Sequence, residues 1–461
     1  MNNRPTAKDS FQAYVWFRTA AEQGNSYAQF NLGLMYKKGE GVVRDDERAF
    51  IWLRLSALQG IAFAQNHLGA MYYHGRGVAQ SDKEAVFWFR RAAAQGDASA
   101  QQNLGQMYKK GRGVRQSDEI ALAWFYRASE QGVASAQSLL GEAYAQGHGA
   151  KKNDALALAW FRKAALQGDA TAQLNLGMVY KRGQGVAQSD VQALAWFRQA
   201  AAQGVAVAQR QLGVAYAEGL GVAPDQLRAY AWLSRAAEQG DSDAQFNLGV
   251  MLARGQGVER DENKAFVWYC RAAEQGHMLA QYNLGGMYAG GRGVGRDLQQ
   301  ALVWYGRAAE QGAPNAQFNL GVIYANGHGV LKDEARAVQW YRTAADQGDA
   351  SAQNNLGVMY ANGQGVAQDD VQAVAWYRCA AEQGHALAQY NLGGMYNSGR
   401  GVARDLVRSY MWIALAAEAG DETAGCNKHI IAAKMTPAEI GSALDLTRQW
   451  RQAHQHHQPI H

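Results

Sequence analysis

The sequence predicts an all-α fold: a right-handed α-solenoid, or superhelix, of eleven 36-residue helix–turn–helix repeats with capping helices at its ends. Three observations predict it. The stretch from Ala352 to Gly384 (AQNNLGVMYANGQGVAQDDVQAVAWYRCAAEQG) matches itself when shifted by 36 residues in either direction, from Ala28 to Gly420, without insertion or deletion. A fixed period of that length marks a stacked array. Within a copy, apolar residues recur at helical spacing in two segments, Ala316, Leu320, Ile323 and Tyr324 and then Ala337, Trp340, Tyr341, Ala344 and Ala345. Neither segment alternates with period two, so strands are a poor reading. The third observation is punctuation by glycine and short polar residues at the same offsets in each copy. One helix pair cannot bury both its faces alone, and stacking on neighbours can.

Each part of a repeat has a physical reason. A glycine pair (Gly39/Gly41 through Gly399/Gly401) follows the first helix, where the chain needs a left-handed φ. A column restricted to Asp, Ser or Asn (Asp45, Ser81, Asn153, Asp225, on to Asp405) is the N-cap of the second helix, because those side chains accept from unpaired N–H groups. Asp97, Asp169, Asp241 and Asp349 are placed to cap the following first helices. A glycine inside every first helix (Gly33 to Gly393) costs about 1 kcal/mol against alanine. Eleven such costs imply a packing reason: the second helix comes close there, with its Trp or Tyr against the gap.

Taken in order, residues 1–10 are polar and expected to be disordered. Residues 11–24, with Trp16 in the Trp register, read as a half-repeat or N-terminal cap. Residues 25–420 hold the eleven repeats, with Pro314 tolerated in a first turn. Residues 421–453 are expected to form capping helices. Thr436-Pro437-Ala438-Glu439 is a capping-box start, and Ile440, Leu444, Leu446 and Trp450 would close the open core. Residues 454–461 form a His-rich tail, expected to be flexible.

Composition narrows the function. The 45 basic residues face 40 acidic ones, a net charge of +5 that does not demand nucleic acid. No apolar run approaches the roughly 20 residues a membrane span needs. Cys270, Cys379 and Cys426 sit at different offsets and read as free thiols. Without a visible signal peptide the chain as written is expected in the cytoplasm, or in the periplasm or outside the cell if an upstream signal was removed.

The signature A-x-A-Q-x-N-L-G-x-M-Y-x-x-G-x-G-V-x-x-D…A-x-x-W-Y-R-x-A-A-E-Q-G resembles the Sel-1-like repeat, a relative of the tetratricopeptide repeat, over Phe11 to about Gly420. The resemblance implies a bacterial-type adaptor that holds a partner protein and is not a catalyst. A cysteine-rich bacterial branch is linked with β-lactam binding and hydrolysis, and its paired cysteines are missing here.

Catalytic motifs do not emerge. No Ser is followed at the third position by Lys, and there is no G-x-S-x-G, H-E-x-x-H or phosphate loop. The expectation is therefore no enzyme, no cofactor and no metal. The alternative kept open is an envelope-associated enzyme or enzyme regulator acting on peptidoglycan or β-lactams. Nucleic-acid binding is weaker still.

If the framework aligns with the tetratricopeptide one, first helices line the concave face. The residue three before the framework glycine then points into the groove. Phe30, Phe246, Tyr282, Phe318 and Tyr390 are the aromatic members of that column, candidate anchors for a peptide or helix. Packing between adjacent first helices explains them equally well. Asn247, Asn283, Asn319, Asn355 and Asn391 are second candidates, since a similar Asn in relatives holds a peptide backbone. Tying a neighbouring repeat's carbonyl is the competing role. Lys37, Lys38, Lys109, Lys110, Lys181 and Arg182 form a basic rim suited to an acidic partner, or simply solvated helix ends. The expected state is a monomer that binds a protein or peptide segment on the concave face.

Overall fold

The computed structural model describes residues 7–454, so the expectations for 1–6 and 455–461 lie outside the described residues. All regular elements among the described residues are helices. The chain divides into two compact units, one up to Ala236 and one from Ala237 onward. Each is a stack of helix pairs. The first opens with Ala7–Glu22 and continues through repeat one (Ser26–Lys38 and Asp46–Leu58) to repeat five (Ala170–Arg182 and Asp190–Ala202), with Ala206–Glu218 and most of Gln226–Glu238 beyond. The second begins with repeat seven (Ser242–Arg254 and Glu262–Glu274). Repeat eight is Met278–Gly290 and Leu298–Glu310, and repeat eleven is Ala386–Ser398 and Leu406–Glu418. Glu422–Ala432 and Pro437–His454 close it. No helix among the described residues is long and apolar enough to cross a membrane.

Local chemistry sets the helix ends. Asp45 accepts from the Arg48 amide at 2.9 Å and Asn153 from the Leu156 amide at 3.0 Å. Asp97 caps its first helix by accepting from the Ala100 amide. His277 and His385 take the same place with Nδ1, a role the sequence reading did not assign. At the closing capping box Glu439 accepts from the Thr436 amide at 2.7 Å, and Thr436 accepts in return from the Glu439 amide. The second glycine of most loop pairs meets backbone: a Cβ on Gly77, at φ +66°, would lie 2.0 Å from the Asp46 carbonyl oxygen of the preceding repeat.

The hollow at the helical glycine is real, and of the two residues expected there the tyrosine enters it, at Gly249, Gly285, Gly321 and Gly357, while the tryptophan does not. The residue after the Trp does: Leu53 at Gly33, Phe125 at Gly105, Tyr305 at Gly285. Helical geometry explains the correction, because Ala49, Leu53, Ser56 and Ala57 share one buried face and Trp52 lies about 100° around from Leu53. Except for Trp88 and Trp412, the Trp rings of the repeats are only half-buried. Several are roofed by a cation one turn on, as Arg127 over Trp124 and Arg271 over Trp268, at 4.6 and 4.5 Å from the ring centroid.

Two further expectations are corrected. The first helix begins at Ala7 rather than Phe11. The Ser10 carbonyl packs on Gly41 as Asp46 does on Gly77, so those residues belong to the repeat packing. In the closing helix Leu444 is exposed, while Ala443 and Thr447 are the buried positions. Trp450 does reach the core, 6.0 Å from the Trp412 ring. Cys270, Cys379 and Cys426 are free.

Candidate functional site

The face built by first helices in the second unit carries the candidate aromatic column. Phe246, Tyr282, Phe318 and Tyr390 are all half-buried, neither free-standing anchors nor closed core. One side of each of the first three lies on the ring that fills its own repeat's glycine hollow: Phe246 on Tyr269, Tyr282 on Tyr305, Phe318 on Tyr341, all with centroids 5.8–5.9 Å apart. Phe246 also stacks on His277 at 4.6 Å. In the first unit Phe30 lies beside Phe63 and His67.

Two members of the asparagine column bond to side chains rather than to a neighbour's carbonyl. Asn391 donates to Asn354 Oδ1 at 3.0 Å, and Asn355 accepts from Asn354. Asn283 lines the same cleft as Tyr269. Asn247 and Asn319 are half-buried on the same face.

The basic rim divides in two. Lys37 meets Nδ1 of His67 at 3.2 Å, Lys181 donates to Gln211 at 2.8 Å, and Lys109 approaches Glu142 at 3.7 Å. The first member of each pair is thus a strut to the next repeat. Lys38, Lys110 and Arg182 remain exposed.

Two clefts stand out on the first-helix face of the second unit. One, of about 420 Å³, is lined by Arg254, Tyr269, Tyr282, Asn283, Gly286, Arg292 and Tyr305 among others. The other, of about 470 Å³, is lined by Asn362, Tyr377, Tyr390, Asn391, Gly394, Arg400 and Ile413 among others. They are the same place three repeats apart. In both, the residue after the framework glycine is a second glycine; repeats seven, nine and ten carry Val250, Val322 and Val358 there. The missing side chain opens the space. A Cβ on Gly394 would meet nothing within 4 Å, and one on Gly286 only the Tyr305 hydroxyl at 3.5 Å and Arg292 Nη2 at 3.6 Å.

Both repeats read L-A-Q-Y-N-L-G-G-M-Y, from Leu279 and from Leu387. Spacing on the helix puts Leu279, Tyr282, Asn283 and Gly286 on one face, and Leu279 and Leu387 are exposed. The structure therefore gathers Tyr282 with Asn283 and Tyr390 with Asn391, while Phe30, Phe246, Phe318, Asn247, Asn319 and Asn355 line neither cleft. Gly286, Gly394 and Arg292 were missed in the sequence reading, while Arg254 continues the basic pairs that suit an acidic partner. The doubled glycine, present in two repeats only, was the available signal. Burial pushes the Tyr305 hydroxyl up to about 12, and that of Tyr377 likewise, so both stay protonated hydrogen-bond donors.

Stacked helix pairs with open clefts on the first-helix face define an α-solenoid repeat protein. The chain belongs to the Sel1 repeat family: the Sel1 repeat model matches twelve segments, a partial one at 4–25 and then consecutive segments from 26–61 to 386–421. It is similar to a protective antigen present in uropathogenic Escherichia coli strains displaying an SLR fold, at 37% identity and TM-score 0.85, covering 97% of this chain and 98% of that one. It is also similar to a Sel1 repeat protein from Oxalobacter formigenes, at 36% identity and TM-score 0.52, covering 67% of this chain and 89% of that one. No curated protein matches it.

Proposed function

We propose that this protein is a non-enzymatic scaffold that holds a segment of a partner protein on its first-helix face, using the clefts at Gly286 and Gly394 as pockets. Sel1 repeat proteins are generally interaction scaffolds, and the reading here adds a place. The observation that carries it is the recurrence of one cleft, with Leu, Tyr, Asn and the doubled glycine in the same register, at two sites in one unit. A helix gives up about 1 kcal/mol at each extra glycine. Open space flanked by an exposed leucine and a tyrosine hydroxyl is what a side chain from an extended or helical segment needs.

The test replaces both glycines by the residue that neighbouring repeats carry. Gly286→Val with Gly394→Val fills the clefts with a side chain already tolerated at Val250, Val322 and Val358. Crosslinking pulldown from the native host should recover a partner with wild type and lose it with the variant, while thermal unfolding stays unchanged or rises. A partner held equally by both proteins would overturn the assignment.

A further inference from the structure

The two clefts share a shape and differ in charge. In repeat eleven, Arg400 is locked: its Nε and Nη2 donate to the two Asp370 oxygens at 3.1 and 2.7 Å. Arg112 in repeat three is held in the same way by Asp82, at 2.9 and 2.7 Å. The corresponding carboxylate for Arg292 is Glu262, and it bonds Arg260 instead. The residue two before the carboxylate decides the route. It is glutamine in the locked cases (Gln80 and Gln368) and arginine in the diverted one, as also where Arg44 bonds Asp46 at 2.9 Å. Arg292 is left facing the cleft, with Nη2 3.6 Å from the point where a Gly286 Cβ would sit. Arg254 lines the same space where the other cleft has Asn362. No ion pair engages Arg254 or Arg292 among the described residues.

We infer that the cleft at Gly286 binds the carboxylate of an acidic residue in a peptide segment, whereas its twin at Gly394 accepts a side chain without selecting charge. The inference rests on the scaffold reading and names its chemistry. Two guanidinium groups offer forked donors that match a carboxylate. The Tyr269, Tyr282 and Tyr305 hydroxyls and the Asn283 amide line the same cleft and supply neutral donors. Leu279, 48% exposed and one turn before Tyr282, offers an apolar ledge for the next residue of the segment. A nucleic-acid backbone fits less well. It needs cations along a track, and the equivalent place three repeats on has none to spare.

The experiment selects random ten-residue peptides displayed on phage against the full chain. The best binder is then synthesised with its Asp and Glu residues intact and as Asn and Gln, and both forms are titrated calorimetrically. Wild type should prefer the acidic form about tenfold, and more at low salt. The preference should vanish in Arg254→Gln/Arg292→Gln, whose melting reports that these exposed changes leave the fold intact. It should also fall in Arg260→Gln, because Glu262 is then free to pair with Arg292. Equal binding of both forms by wild type, or a preference that survives loss of both arginines, overturns the charge assignment alone. Recovery of the same peptides at equal affinity by Gly286→Val/Gly394→Val removes the clefts themselves. Displacement of the peptide by a twenty-nucleotide single-stranded RNA at lower concentration than by free acidic peptide would overturn the proposal in favour of nucleic acid.

Discussion

Gln59 donates a hydrogen bond from Nε2 to Oε1 of Gln29 across 2.8 Å, thirty residues away within the same repeat. Gln29 passes the chain on across the repeat boundary, donating to the Ala21 carbonyl of the preceding helix at 3.2 Å. The same two bonds recur as Gln95 to Gln65 to Ala57, and in the second unit as Gln347 to Gln317 to Ala309. Each glutamine of the fixed column is buried and satisfies a carbonyl near the end of the preceding second helix. This ladder of amides sets the register between repeats and explains why the column admits no other residue.

The ladder stops at Gln389, whose Oε1 is buried without a hydrogen-bond partner. Position 419 is alanine, where each preceding repeat has the donating glutamine. Ala419→Gln should supply that donor and stabilise repeat eleven by about 1 kcal/mol. Gln317→Ala, which removes both bonds of one rung but leaves the Ala309 carbonyl its bond from the Gly312 amide and Gln347 its bond to the Thr343 carbonyl, should cost about 1 kcal/mol. Arrays unfold locally, so site-resolved hydrogen exchange is the measurement. Unchanged protection in both variants would make the ladder energetically idle.

Adjacent glycines should respond in opposite directions. A Cβ on Gly393 would lie 2.5 Å from Ile413 Cγ1 and 3.1 Å from the Ser409 carbonyl oxygen, so Gly393→Ala should destabilise by about 1–3 kcal/mol. Gly394→Ala meets open space and should gain about 1 kcal/mol from helix propensity. Denaturant unfolding of the two single variants checks the sign of each.

Acidification should loosen the second repeat. Burial, helped by the Lys37 and Lys38 charges, lowers the His67 pKa to about 4. The folded state then binds fewer protons than the unfolded one between the ordinary histidine value and about 4. Stability is full above pH 6.5 and falls as pH drops through that window, by at most about 2 kcal/mol once solvent screening is allowed for. His67→Gln should flatten this part of the stability–pH curve. A slope identical to wild type would show that the ring is not protonated on unfolding.

The closing helix is held by Trp450. Its ring meets Trp412 edge-on, and its Nε1 donates to Glu382 at 2.9 Å. Trp450→Ala should fray Pro437–His454 at a cost of about 2 kcal/mol, read as faster exchange there and a red-shifted Trp412 emission. Repeats seven and eight should keep wild-type protection, because solenoid contacts are nearest-neighbour.

Much of the fold was legible because its determinants are local. Asp45 caps by bonding an amide three residues on, Gly77 turns the chain by its own φ, and Thr436 with Glu439 closes a box within one turn. A one-dimensional pattern contains such information in full. The period of 36 residues, repeated without slippage, carried the stacking with it. Which residue fills the Gly105 hollow was harder to read, since Trp124 and Phe125 are both large and only the angle around the helix separates them.

The candidate site was legible only in fragments. Tyr282 and Asn283 could be picked out by column, but their partners Arg254 and Arg292 come from the end of the preceding first helix and from a loop. Whether Arg292 is locked or free depends on which arginine Glu262 bonds, a choice between Arg260, two residues before it, and Arg292, thirty residues after it. Gly286 is one more small residue on paper and a cleft once Tyr305 and Asn283 stand around it. The sequence by itself determined the helices, their caps and the class of repeat, because those follow from neighbours a few residues apart. Only the tertiary structure decided where space and unpaired charge remain, because both are differences between what adjacent repeats present to one another.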